Sequence, residues 1–255
     1  MFKLMKYEFR KQALSKLIIL VLAAITEIIF LFGIFTNKTE QMAVGFGLFC
    51  MLAFAAVFYV AFESIGVYSK DLKTKNSYML FLTPNTSFSI VGAKVLSTGI
   101  QILVTGLVFL GIFILDIVIV LIRVEEISKI KDFVQELFNL ASDKVLVTNL
   151  VWFFVFMLLS WVFVTIMAFF SITLSTTVLA NSKLKGILSF AIFMGITYLV
   201  SKIAQLLSLD QFLNMDQATL MLSNMKLIAY SLYLISVSAL AYVGTALLLE
   251  KKVNL

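Results

Sequence analysis

Two carboxyl side chains lie in stretches of sequence that offer them almost no water. Glu27 is the single charged residue of the apolar stretch 17–35, and Asp116 is the single charged residue of the run 95–122. An ionised carboxylate in the middle of a membrane-spanning helix costs about 2.5–3.5 kcal/mol on insertion scales, so each group should face protein or a water-filled cavity. Glu27 could line a translocation path and attract a cationic or amphipathic molecule, or it could make a structural hydrogen bond to a neighbouring helix. Asp116 could pair with Lys202 or reach the outer membrane interface.

The sequence lacks the residues that most other kinds of catalytic or metal site require. The 255 residues contain no histidine, which removes imidazole bases, Ser-His triads and His-ligated zinc sites. The one cysteine, Cys50, excludes a CxxC site and an intramolecular disulfide. The short sequence Gly92-Ala-Lys94 lacks the upstream glycine of a phosphate-binding loop and follows no strand. The sequence therefore predicts no catalytic site, no metal site and no cofactor.

The elements that must position these residues are membrane-spanning helices. The chain is 62% hydrophobic and 13% charged, whereas soluble domains are about 45–50% apolar and about 25% charged. Six apolar stretches reach the roughly 20 residues that a bilayer requires, and we predict one all-α domain over residues 1–255, with spans at about 17–35, 43–62, 92–122, 145–180, 187–207 and 227–249. Glycines of the third and fifth spans predict close helix packing at Gly99, Gly106, Gly111, Gly186 and Gly195.

The loops between the spans indicate an orientation. Most of the 20 Lys and Arg residues fall on the side that holds both termini, while the acidic residues concentrate on the other side. By the positive-inside rule, both termini are expected in the cytoplasm. The basic residues adjoin a span, so they favour anionic lipid as a partner and not nucleic acid.

Two segments outside the spans have amphipathic patterns. Residues 1–16 place Phe2, Met5, Phe9 and Ala13 on one stripe beside several cations, which is typical of a helix lying in the membrane interface. This helix could be a simple topology anchor, or an elbow that braces the bundle. Residues 123–144 show 3–4 spacing of apolar residues and predict an outer amphipathic helix between the third and fourth spans.

The cytoplasmic loop 64–88 combines charges with an exposed apolar run. Residues Tyr78–Leu82 are nearly all apolar although they lie outside any span, and such a surface requires a cover. That cover could be the membrane interface or a groove on a partner protein.

In layout, the chain resembles the type-2 family of ABC transporter permeases, the small six-span membrane subunits of bacterial exporters. Besides the opening Phe-Lys-Leu-Met-Lys-Tyr-Glu-Phe-Arg-Lys, the likeness rests on four short sequences: Tyr68-Ser-Lys-Asp-Leu72, Tyr78-Met-Leu-Phe-Leu-Thr-Pro84, Gly92-Ala-Lys94-Val-Leu and Leu249-Glu-Lys-Lys-Val253. One feature differs, because many relatives concentrate outer structure between the fifth and sixth spans, whereas segment 123–144 is at least as large here.

The resemblance implies partners and a docking site. The N-terminal helix would be the family's elbow helix, and the loop after the second span would be a coupling helix that docks on a separate ATP-binding subunit. By resemblance, the docking residues would be Tyr68, Lys70, Asp71, Leu72 and Lys73. The complex would contain a second permease, identical or different, in the bacterial cytoplasmic membrane.

The cargo is expected to be amphipathic or hydrophobic because the spans are rich in Phe and Met and carry the intramembrane Glu27. Antimicrobial or toxin-like peptides are the favoured cargo. The alternatives are a lipid or drug transporter and a membrane immunity or binding protein that works alone.

Overall fold

The computed structural model describes residues 1–73, 86–123, 135, 142–178, 185–208 and 224–253. Within these ranges the chain forms helices and no strand, which confirms the all-α fold class. The helices are α1 (Phe2–Lys11), α2 (Ala13–Phe35), α3 (Thr39–Lys73), α4 (Ser87–Arg123), α5 (Lys144–Val178), α6 (Lys185–Leu206) and α7 (Asn224–Val253).

Six of these helices, α2 to α7, are long and apolar enough to cross a membrane, which confirms the predicted number of spans. Several are longer than a span requires. Helix α3 has 35 residues and is therefore about 52 Å long, against a hydrocarbon core of about 30 Å. It continues past Phe62 to Lys73, so residues 64–73 of the predicted coupling loop are helical.

Other predicted segments lie outside the described residues. These are the remainder of the coupling loop at 74–85, most of the outer segment 123–144, and the loop 209–223.

The chain divides into two compact units. The small unit contains Lys6–Phe62 and Ile100–Lys144, and the large unit contains Met1–Met5, Glu63–Gly99 and Val145–Leu255. Helices α3 and α4 therefore contribute one part to each unit. The small unit has a core formed by Ala23, Phe49, Ala56 and Phe109.

The large unit has its core around the second half of α5. Most residues of α5 from Phe163 to Thr176 are buried, as expected for a helix that is apolar on all sides. Hydroxyl side chains of this segment form hydrogen bonds within the helix. Thr173 donates to the carbonyl of Phe169 at 2.8 Å, and Ser171 donates to the carbonyl of Met167. Around this segment pack Tyr68, Val91, Val95, Val200, Leu234, Ala241 and Leu249.

A tight turn joins α2 to α3. Asn37 adopts a left-handed conformation with φ of 54°, which asparagine tolerates better than most residues. The Lys38 N–H donates to the carbonyl of Gly33 at 3.0 Å and closes the end of α2.

The two helices then meet at glycines that the sequence analysis did not single out. A Cβ on Gly33 would overlap the backbone of Met42, and one on Gly45 would lie 2.6 Å from Cα of Phe30. By contrast, in the described part of the chain no atom lies within 4 Å of a Cβ at Gly106, Gly111, Gly186 or Gly195. A Cβ on Gly99 would make only an ordinary contact, 3.7 Å from Val162.

Helix α1 is amphipathic, but its buried stripe differs from the predicted one. Met5, Glu8 and Gln12 are buried, whereas Phe2 and Tyr7 are exposed. The rings of Phe2 and Tyr7 are therefore available to a membrane interface, while Glu8 and Gln12 contact protein.

Candidate functional site

Tyr68, the first residue of the predicted docking set, is buried inside the large unit. Its side chain is 1% exposed, and its ring stacks on Phe169 with centroids 4.1 Å apart. The hydroxyl groups of Tyr68 and Thr173 are 2.6 Å apart and hydrogen-bonded. Tyr68 therefore fastens the last turns of α3 to α5, with its ring in the core of the large unit.

Asp71, also in that set, forms an ion pair with Lys94. The Lys94 ammonium donates to a carboxylate oxygen of Asp71 at 2.6 Å, and the two side chains are only 5% and 14% exposed. Such a buried pair gives little net stability, but removal of one partner leaves an uncompensated charge and is strongly destabilising. The pair fixes the end of α3 against the beginning of α4.

The other predicted docking residues differ in exposure. Lys70 is exposed, whereas Leu72 is partly buried and packs against the core of the large unit. Lys73 is the last residue of α3. The docking role itself stays a prediction, and Lys70 is the member of the set whose described side chain reaches the surface.

In the small unit, the carboxyl groups of Glu27 and Asp116 lie side by side, within hydrogen-bonding reach of each other. Two ionised carboxylates have only acceptors and repel each other, so a hydrogen bond between these groups requires that one of them is protonated. Asp116 is 3% exposed. Its observed partner is thus Glu27, while the Lys202 ammonium donates to Gln205 Oε1 at 3.1 Å and lies 5.8 Å from the ring centroid of Tyr198.

Glu27 borders a groove of about 520 Å³ between α2 and α4. Its apolar lining includes Leu20, Ile28, Val104 and Val108, which are largely exposed, so the groove is open along one side. Besides Glu27, the lining residues are Lys16, Ile19, Leu20, Ala23, Ala24, Ile28, Val104, Thr105, Val108, Phe109 and Ile112.

The sequence analysis missed two charged partners, Asp116 for Glu27 and Lys94 for Asp71. The positions of these residues along their helices could have identified both pairs. Glu27 lies about 12 Å before the end of α2, and Asp116 lies about 10 Å before the end of α4. Successive spans alternate in direction, so the first and third are expected to run the same way, and these two residues are then expected at similar depth. Asp71 and Lys94 similarly flank one loop, close to the ends of consecutive spans.

Across the ranges that the structure covers, no three His, Cys, Asp or Glu side chains are grouped so that they could hold a metal ion. Comparison of the chain with protein-family models, with curated proteins and with solved structures found no match.

Proposed function

We propose that this chain is the membrane-spanning subunit of an ATP-driven exporter of the ABC type-2 kind. It would work in the bacterial cytoplasmic membrane with both termini in the cytoplasm. A separate ATP-binding subunit would hydrolyse ATP, and a second permease subunit, identical or different, would complete the path. The cargo would be amphipathic or hydrophobic, with antimicrobial or toxin-like peptides as the favoured class.

The observation that supports this proposal best is the anchored end of α3. The helix extends about 16 Å beyond Phe62, and two separate contacts hold this extension, Tyr68 to Thr173 and Asp71 to Lys94. A force applied to Lys70 would therefore reach α4 and α5 through two short hydrogen bonds, each at 2.6 Å. A segment that receives motion from an ATPase requires this stiffness.

Co-purification tests the proposal directly. The chain is expressed with the genes that flank its own and is isolated in mild detergent, and an ATP-binding subunit is expected to accompany it. Lys70→Glu should reduce the amount of ATPase recovered by about tenfold, because it reverses a surface charge in the docking segment without touching the core.

The matched control is Lys38→Glu, the same charge change on an exposed residue at the other end of α3. It should leave ATPase recovery unchanged. If wild-type chain captures no ATPase, or if both variants lose it equally, the proposed docking mode is wrong.

A second candidate, transport or binding of a smaller lipid-like or drug-like molecule, is favoured by the groove. Its volume of about 520 Å³ is within the range of about 300–1,000 Å³ that holds drug-sized ligands, and it is small for a folded peptide. Under this candidate, the purified chain should bind such a molecule without any ATPase. That result would also suit a binding protein that works alone.

A further inference from the structure

The groove between α2 and α4 has one polar feature that its apolar walls do not explain. Oε1 of Glu27 is buried and meets no amide, amino or hydroxyl donor in the described part of the chain. A buried carboxyl oxygen without a donor loses the hydrogen bonds that water would give it.

The charge of the acid pair restricts what could complete it. Because Glu27 and Asp116 are neighbouring carboxyl groups, and two carboxylates so close do not both ionise readily, the pair is expected to carry at most one negative charge. A single cationic donor would balance that charge, and an ammonium group would also supply the missing N–H donors. Lys16, the cation among the groove residues, is about 16 Å away along α2, and its ammonium donates to Gln12 Oε1 at 3.4 Å.

The rest of the groove determines the body of the ligand. From Ile19 to Ile112 the described lining residues other than Glu27 and Thr105 are aliphatic or aromatic. The open side, marked by exposed Leu20 and Val104, would admit a molecule from the bilayer. A volume of about 520 Å³ suits one alkyl chain or a drug-sized body and is too small for a two-chained phospholipid.

We infer that this groove binds a lipophilic primary amine with a single alkyl chain or a drug-sized body, with the ammonium group on Glu27 and the apolar body along α2 and α4. The inference deepens the proposed function, on which it rests for the role of the amine as cargo. Binding itself requires only the small unit.

Photo-crosslinking in lipid discs tests the inference without an ATPase. The probe is a dodecylamine with a diazirine on its alkyl chain, and the discs are made of phosphatidylcholine, which has no primary amine. The probe should label α2 and α4 groove residues, as read by mass spectrometry. Unlabelled dodecylamine should compete at least about tenfold better than 1-dodecanol, because only the amine can form the charged hydrogen bond.

Two variants and one control locate the site. Glu27→Gln keeps the side-chain shape but should weaken amine competition by about tenfold. Ala24→Phe should block labelling by filling the groove without altering the acid pair, so it still tests the site if Glu27→Gln folds poorly. Glu40→Gln, a change of the same type on an exposed residue of the same unit, should have no effect.

Three results would overturn the inference. Equal competition by dodecanol would mean that the groove recognises only apolar chains. Labelling that Glu27→Gln and Ala24→Phe both leave intact would place the amine elsewhere. Displacement of the probe when phosphatidylethanolamine is added to the discs would make a membrane lipid the occupant. Each result can occur while ATPase co-purification succeeds, so failure here is distinct from failure of the exporter proposal.

Discussion

At the scale of single residues, two of the buried pairs of ionisable side chains in the described ranges differ in kind. Lys94 and Asp71 carry opposite charges and form an ion pair, whereas Glu27 and Asp116 are two neighbouring acids. The first pair is complete without a ligand and holds α3 against α4. The second pair still has a buried oxygen without a donor. We therefore expect ligand binding at the second pair and a structural role for the first.

The Lys94–Asp71 pair gives a stability prediction. Asp71→Asn or Lys94→Met should each lower the free energy of unfolding by about 3 kcal/mol, because the remaining charge stays buried without its partner. The double variant Asp71→Leu with Lys94→Met should recover most of that loss, because no charge is left behind. Thermal unfolding in detergent measures the effect.

Lys70→Met is the control for this series, since Lys70 is exposed and surface changes are usually worth less than about 0.5 kcal/mol. Single variants as stable as this control would show that the Lys94–Asp71 contact contributes nothing.

The sequence could identify Tyr68 as important but not its role. The motif Tyr68-Ser-Lys-Asp-Leu72 has the composition of a surface helix, and its outward-facing residues cannot be known without the partner helices. Tyr68 becomes a core residue because Phe169 and Thr173, about 100 positions later in the chain, provide a ring to stack on and a hydroxyl group. Contacts of such long sequence separation leave no local pattern.

At the scale of elements, the contact between α2 and α3 depends on two small residues. Gly33 and Gly45 let the helix backbones approach more closely than any side chain would permit. Small residues at such crossings are a common means of packing membrane helices, because lipid provides no hydrophobic force to drive helix association.

Alanine substitutions at these glycines should be destabilising. Gly33→Ala and Gly45→Ala should each cost about 1–3 kcal/mol, because the added methyl group would overlap the backbone of the opposite helix. Gly106→Ala should be neutral or slightly stabilising, because space around it is open and alanine favours helix over glycine by about 1 kcal/mol. Thermal unfolding of the three variants separates the cases; similar losses at all three would contradict the assigned contact.

The number of helices was predictable, but several of their ends were not. A hydropathy pattern detects only the apolar part of a helix, the part that can lie in lipid. It therefore predicts that the second span ends near Phe62. Helix α3 continues to Lys73 because Tyr68 and Leu72 bury themselves in the large unit. The extension is stabilised by protein contacts, which composition does not record.

At the scale of the whole molecule, the orientation is still a prediction from the Lys and Arg distribution. Lys38 and Lys70 lie at opposite ends of α3 and are both exposed. They are about 48 Å apart along the helix, which exceeds the thickness of the hydrocarbon core. They are therefore suitable markers for the two sides of the membrane.

Cysteine labelling tests this orientation. In a Cys50→Ser background, Lys38→Cys should react with a membrane-impermeant maleimide on intact cells, whereas Lys70→Cys should react only after permeabilisation. Wild-type Cys50, about 16 Å into α3, should remain unlabelled in both conditions because it lies within the bilayer. The reverse labelling pattern would place the termini outside the cytoplasm and would contradict the exporter proposal.

The division of α3 and α4 between two units has a consequence for synthesis. The core residues of the small unit, Ala23, Phe49, Ala56 and Phe109, have all been translated once the ribosome has passed α4. The large unit also takes Tyr68 and Val91 from this early part, but its core is incomplete until Leu249 has been made. The first three spans can therefore assemble while later ones are still entering the translocon, and both members of the Asp71–Lys94 pair have been made before α5.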